Sequence, residues 1–146
     1  MPYRLPWYRV SLVREGSCVS EHNAISSPEE VFAVTHSDFA ETTVEKALML
    51  ALDTKNKIIG VFTISTGSLN ASIIHPRDLF QRAILCNAAS VILVHNHPSG
   101  DPTPSAEDLE LTRKMVKAGK LMDIPVLDHV IIGEDRYSSL KEKELM

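Results

Sequence analysis

The sequence predicts an α/β (α+β) domain in which a mixed β-sheet is flanked by helices. Short apolar runs rich in β-branched residues alternate with longer segments whose apolar residues recur every three or four positions. The resulting order, β-α-β-β-α-β-α-β-α, combines a hairpin with strand–helix–strand connections. A length of 146 residues is typical of one domain, so we expect a single domain over residues 1–146.

The first half of the chain is predicted to hold a strand, a helix and a hairpin. Apolar residues alternate over residues 8–13, which indicates a strand. Ser27, Pro28 and two acidic residues have the order of a helix start, and the helix is expected to reach Phe39. Apolar runs at 48–52 and 58–64 flank a polar segment and predict an antiparallel hairpin. A loop is expected at 67–70.

The second half is predicted to alternate helices with strands. Residues 76–88 and 105–118 have helical periodicity, and Gly119 is expected to end the second helix. Residues 90–94 are almost wholly apolar, as in a strand buried on both faces. Residues 96–104 contain three prolines and are expected to form a rigid loop. Residues 126–132 should form a last strand, and 137–146 a short exposed helix.

Composition restricts the class of protein. The chain has 15 basic and 19 acidic residues and a net charge of −4, which argues against a broad nucleic-acid surface. Its two cysteines are far apart and form no CxxC pair, so no disulfide framework or thiolate zinc site is indicated. No apolar run approaches the ~20 residues of a membrane span, and no signal peptide is evident. We therefore expect a cytoplasmic protein without a membrane partner.

The segment from His95 to Asp108 has the composition of a metal site. His95 and His97 are two apart at the end of an apolar strand, so both imidazoles should point to one side. Asp108 lies near the start of the next helix and would complete three protein ligands, the number typical of catalytic zinc. A structural interpretation stays open, in which Ser105 only caps the helix and Asp108 is only a first-turn acid.

Other functional residues are less well defined by spacing. A hydrolytic zinc site needs a base, and Glu45 is a candidate because it precedes the apolar run 48–52, although many other acids compete. His129 could orient a zinc-bound histidine, but a structural core role is the favoured interpretation. Trp7, with Tyr3 and Tyr8, is expected to pack onto the core rather than form a contact surface.

The motif itself resembles that of a known family. His-x-His, seven residues, Ser, two residues and Asp is similar to the JAMM motif of the JAB/MPN+ metal-dependent hydrolases. The sequence is most similar to the RadC branch of this family in five segments: HNHPSGDP at 95–102 followed by PS at 104–105, LDTKN at 52–56, GSLNAS at 67–72, HPRD at 75–78 and LDH at 127–129. The resemblance extends over residues 27–140.

The resemblance implies a JAB/MPN-like architecture, similar to that of cytidine deaminases, and one Zn²⁺ per chain. It implies that His95, His97 and Asp108 are the zinc ligands and that Ser105 steadies the tetrahedral intermediate. Glu45 falls where the family has its catalytic base, which would deprotonate zinc-bound water for amide hydrolysis. The implied activity is that of a metalloprotease or isopeptidase acting on an unidentified protein or peptide.

The chain also departs from the family pattern. Lys46 and Ala47 follow Glu45 where the family usually has His-Phe, which weakens the assignment of this base. Residues 1–26 precede the match and do not have the pattern of the helix-hairpin-helix-like segment of longer RadC proteins, so we expect a short form. The alternatives are a DNA-repair-associated protein or a scaffold with little activity. Nucleic acid is not an expected partner, given the charge, and the oligomeric state stays open.

Overall fold

The computed structural model describes residues 1–67 and 74–146 of the chain. The elements in chain order are α1 (Pro28–Phe39), β1 (Lys46–Leu52), β2 (Ile58–Thr66), α2 (Pro76–Leu85), β3 (Ser90–Asn96), α3 (Ala106–Met122), β4 (Val126–Ile132) and β5 (Tyr137–Ser139). The predicted fold class is confirmed.

The strands form one sheet in the order β2-β1-β3-β4-β5. β1 pairs antiparallel with β2 and with β3, β3 pairs parallel with β4, and β5 returns antiparallel on β4. The sheet is therefore mixed, and the predicted hairpin is confirmed as β1 and β2. The parallel pair is connected by α3, as expected for a strand–helix–strand unit.

The central strands are covered on both faces. Met49 and Ala51 of β1 pack with residues of α2 and α3, whereas Leu48 and Leu50 pack with residues of α1. This division follows from the alternation of side chains along a strand. We call these two sides of the sheet the α2–α3 face and the α1 face. Burial on both explains why β1 and β3 are continuous apolar runs rather than alternating ones.

An irregularity in β4 decides which face its later residues occupy. Val91 pairs with Val126, but Ile92 pairs with Asp128, so β4 has one extra residue at this point. A slip of one residue exchanges the two faces of a strand. As a result His129 is opposite Leu93 and lies on the α2–α3 face, fully buried.

Helix α3 is longer than predicted. It continues through Gly119 to Met122 and ends at Asp123, which takes the left-handed conformation with φ 55°. Gly119 does not end the helix as predicted. A glycine is needed at this position because a Cβ there would lie 2.7 Å from the carbonyl oxygen of Ile124. The glycine therefore permits close approach of the segment that leads into β4. Within the described residues, none of the helices has the length and apolarity that crossing a bilayer requires.

The two predictions at the chain ends were wrong. Residues 8–13 form no strand, and Tyr8 and Trp7 are exposed, at 86% and 97% of their surface, instead of packing onto the core. Alternation is a local signal, whereas a strand also needs a partner ladder and an apolar surface to cover. Near the other end, Tyr137–Ser139 pairs with β4 and is followed by turns, so no helix forms there. The loop predicted at 67–70 lies, apart from Gly67, outside the described residues.

Candidate metal centre

Three predicted ligands converge at the end of the sheet where β3 leaves it. His95 is near the end of β3, His97 follows that strand, and Asp108 is in the first turn of α3. The Nε2 atoms of His95 and His97 are 3.2 Å apart. Asp108 bridges them, with Oδ1 3.2 Å from His95 Nε2 and Oδ2 3.0 Å from His97 Nε2. All three side chains are largely buried.

The separations of these atoms fit a zinc ion. Ligand atoms about 2.1 Å from a tetrahedral zinc lie about 3.4 Å from one another. The contacts of 3.0–3.2 Å among these three side chains are close to that value. Two imidazole nitrogens and one carboxylate also form a donor set that zinc accepts in catalytic sites. The residues present therefore fit the metal that the motif implies.

Asp108 serves the helix and the site together. Its N–H donates to Ser105 Oγ at 3.1 Å, and its Oδ2 accepts from Ser105 N–H at 2.8 Å, which is a capping box at the start of α3. The same Oδ2 contacts His97 Nε2. The structural and the metal-site interpretations of Ser105 and Asp108 are thus compatible, because the cap fixes the carboxylate beside the histidines.

The site is electrostatically polarised. Burial raises the pKa of the Asp108 carboxyl, but the two histidines beside it and the Ser105 N–H that donates to it lower that pKa more, so that the net pKa is far below its usual range. The hydrogen bond to Asp108 raises the pKa of His97 above its usual value of 6.5, against the opposing effect of burial. Asp108 is therefore an anion at neutral pH, and a cation at this position competes with a proton on His97.

His97 is oriented by the proline-containing loop. Its Nδ1 is 2.9 Å from the backbone carbonyl oxygen of Asp101. A carbonyl oxygen can only accept a hydrogen bond, so the ring nitrogen is the donor. Nδ1 therefore carries the proton in the neutral ring, and Nε2 presents a lone pair to the site. The loop is held against the turn after β4, where Glu134 N–H donates to Gly100 O and Gly133 leaves no room for a Cβ beside that same oxygen.

His95 is oriented by a residue that sequence reasoning interpreted mainly as structural. His129 is fully buried, as expected for a core residue, but its Nε2 also lies 2.7 Å from His95 Nδ1. Its Nδ1 is 2.6 Å from the hydroxyl of Thr112 on α3. Burial holds the pKa of His129 well below its usual value, so the ring is neutral. Thr112 gave no signal in the sequence, because only the packing of α3 on β4 brings it to this place.

Glu45 lies directly before β1 and joins the same site. The last pair of β1 and β3 is Ala47 with His95, so Glu45, two residues before Ala47, follows on from the ladder at the end where the histidines lie. A carboxylate oxygen of Glu45 and one ring nitrogen of each histidine lie within 4.8 Å of one another. The antiparallel pairing thus brings an acid from a segment fifty residues away to the histidine pair.

Asn96, between the two histidines, holds the segment that carries Glu45. Its Oδ1 accepts from Lys46 N–H at 2.7 Å, and its Nδ2 donates to Val44 O at 3.1 Å. Side chains alternate along a strand, so Asn96 points away from His95 and His97. Sequence reasoning assigned this residue no role. Its side chain fixes the backbone on both sides of Glu45.

A cleft of about 420 Å³ opens beside His97. It is bounded by α1 and the segment after it, by the loop after β3, and by the turn after β4. The residues that line it include His36, Phe39, Thr42, Asn96, Ser99 and Glu134. Of the five predicted site residues, only His97 lines this cleft, so the cleft lies beside the metal centre rather than over it.

All five predicted site residues are therefore brought together, since Ser105 contacts Asp108, Asp108 contacts both histidines, and Glu45 is near the same pair. A mixed sheet with this histidine and carboxylate cluster is the arrangement expected of a JAB domain. The model of the RadC-like JAB domain family matches residues 25–145, and the chain belongs to that family.

Curated relatives carry the same domain within longer chains. A UPF0758 protein of Methanosarcina barkeri is 53% identical over 119 residues, covering 82% of this chain and 52% of the relative. A UPF0758 protein of Caldanaerobacter subterraneus is 52% identical over 127 residues, covering 87% and 54%. One of Desulforamulus reducens is 51% identical over 122 residues, covering 84% and 54%. The chain spans about half the length of these relatives.

Proposed function

We propose that this chain is a zinc-dependent metallohydrolase that cleaves amide bonds in a protein or peptide, as a metalloprotease or isopeptidase. One observation carries the proposal. The metal-binding atoms of His95, His97 and Asp108 converge at 3.0–3.2 Å, and the Glu45 carboxylate lies near the two histidines. Three ligands with an acid beside them are the components that hydrolysis by an activated water requires.

The proposed chemistry divides between metal and protein. When bound, zinc would lower the pKa of a water to about 7 and polarise the substrate carbonyl. Glu45 is the proposed base, which accepts the proton of the attacking water and returns it to the leaving amine. Its place near the two histidines, supported by the two hydrogen bonds of Asn96 to the backbone on either side of it, keeps the carboxylate near the reacting atoms.

Ser105 is the proposed donor to the developing oxyanion. Its hydroxyl oxygen accepts the Asp108 N–H, which uses a lone pair and not the hydroxyl proton. That proton is then suited to stabilise negative charge on the substrate oxygen.

The test is a peptide-library cleavage screen paired with metal analysis. Wild-type protein should hold one zinc per chain and cleave members of the library. Glu45→Gln should keep the zinc and lose at least about 100-fold in turnover, the contribution expected of a general base. Glu41→Gln is the matched control, because Glu41 is an exposed acid four residues away.

Two results would contradict the proposal. Absence of zinc from a zinc-replete preparation would remove the metal site. Full activity in Glu45→Gln would remove the proposed base. A chain that holds zinc but cleaves nothing in the library would instead favour a binding module.

A further inference from the structure

Three hydrogen bonds connect two of the ligand residues through the interior of the domain. His95 Nδ1 is 2.7 Å from His129 Nε2, and His129 Nδ1 is 2.6 Å from Thr112 Oγ1. Thr112 Oγ1 is in turn 2.7 Å from the backbone carbonyl of Asp108. His129 and Thr112 are both fully buried, so these bonds are not exchanged with water.

The directions of the bonds follow from the Thr112 end. A hydroxyl has one proton, and the Asp108 carbonyl oxygen can only accept, so Thr112 donates to Asp108. Thr112 Oγ1 must then accept from His129 Nδ1–H. A neutral imidazole has a single N–H, so His129 Nε2 has a lone pair and accepts from His95 Nδ1–H. Nε2 of His95 is thereby left unprotonated, and this is the atom that faces His97 and Asp108.

We propose that His129 and Thr112 are positioning residues that hold His95 in the tautomer able to bind metal through Nε2. The inference rests on the proposed metal site. The opposite set of directions, with Thr112 donating to His129, would put the proton on His95 Nε2 and block coordination. Because the series ends at the backbone of Asp108, it also ties the orientation of His95 to the first turn of α3.

A histidine suits the place beside His95 better than a carboxylate would. Zinc-bound histidines often donate their second N–H to a carboxylate or a backbone carbonyl. The site of His129 is fully buried on the α2–α3 face, where an isolated carboxylate would be costly. A neutral imidazole supplies the required acceptor without a second buried anion near Asp108, and Thr112 decides which of its nitrogens is that acceptor.

The first test reads the tautomer of His95 directly. Long-range ¹H–¹⁵N spectra of the zinc-free protein should show His95 and His129 each protonated at Nδ1. In Thr112→Val, His129 loses the acceptor for its Nδ1–H, and the fraction of His95 protonated at Nδ1 should fall. A His95 ring protonated at Nε2 in the wild-type protein would overturn the proposal.

The second test measures zinc affinity by competition with a chelator. Thr112→Val should weaken binding about ten-fold or more, the lower end of the range for residues that support metal ligands. Thr35→Val is the matched control, because the Thr35 hydroxyl is also buried and also donates to a helical carbonyl, that of Val31, at 2.7 Å. Equal affinities of the two variants would overturn the proposal.

Substitutions of His129 separate its hydrogen bond from its volume. His129→Phe fills the space but removes the acceptor, and should lose about 100-fold in zinc affinity. His129→Gln keeps an acceptor oxygen and should recover most of that loss, whereas failure to do so would indicate a packing role and contradict the proposal. If His129→Phe does not fold, Thr112→Val decides.

None of these measurements depends on hydrolysis. A chain that cleaves no substrate would defeat the proposed activity and leave the tautomer and the affinities as they are. A wild-type chain that binds no zinc would defeat the metal site, and the spectra of the zinc-free protein would then decide on the bond directions alone.

Discussion

Replacing Asn96 with leucine tests whether this side chain holds the segment around Glu45. Asn96 is 4% exposed and bonds to the backbone at Val44 and Lys46. Each neutral hydrogen bond contributes about 0.5–1.5 kcal/mol, and partly buried groups left unpaired add to the cost. Asn96→Leu keeps a similar volume and removes both bonds, so we expect the free energy of unfolding to fall by about 2–3 kcal/mol.

The assay is urea unfolding of the zinc-free protein at neutral pH, followed by circular dichroism. Thr35→Val is the control, because Thr35 bonds only within its own helix and should cost less than about 1 kcal/mol. With zinc present, Asn96→Leu should retain the metal and lose turnover, because Glu45 is no longer held. A fall of less than about 0.5 kcal/mol in the free energy of unfolding, or a fall equal to that of Thr35→Val, would refute this account of Asn96.

Three further predictions concern the loop, the pH dependence and the first residues. Gly133→Ala should weaken zinc binding, because the added Cβ would displace the loop that orients His97. Gly60→Ala is the control and should leave zinc binding unchanged, because its Cβ would meet only the Phe62 ring, at 3.4 Å. Chelator competition measures the zinc affinity of both variants. In the zinc-free protein the pKa of His97 is raised, so its bond to Asp108 stabilises the fold fully below a pH of about 6.5. This contribution is lost as the pH rises through the pKa of His97 in the folded state. Zinc affinity should show the opposite trend and fall as the pH drops through that value, which isothermal titration at several pH values would detect and a flat profile would contradict. Trp7→Ala should leave the melting temperature unchanged, since the side chain is 97% exposed.

Local sequence signals predicted most of the fold. The apolar runs gave β1, β2, β3 and β4, and the Ser27 cap with Pro28 placed the start of α1, where the Ser27 hydroxyl accepts from Glu30 N–H. The errors at both ends of the chain have one cause. Whether residues 8–13 or 137–146 form an element depends on what they meet in three dimensions, which periodicity does not contain.

The candidate site could also be predicted only in part, because local patterns mark some of its residues and only three-dimensional packing places the others. Two histidines at i and i+2 and an acid in a helix cap are local patterns, so His95, His97 and Asp108 could be predicted from spacing and motif. The positions of Asn96 and Thr112 depend on the register of β1 on β3 and on the packing of α3. Their partners are about fifty residues away for Asn96 and seventeen for Thr112 with His129, so no short pattern marks them.

The extra residue in β4 determines how this site can be transplanted or aligned. If β4 continued from Val126 in regular pairing, with no extra residue opposite β3, Asp128 would face the α2–α3 side and His129 the α1 side, although every side chain of the cluster would be the same. Asp128 would also leave the Ser139 hydroxyl and the Lys141 N–H that it now accepts from. A designer who copies the histidines onto another sheet must therefore copy this residue count as well, and an alignment that places a gap here would pair side chains from opposite sides of the sheet.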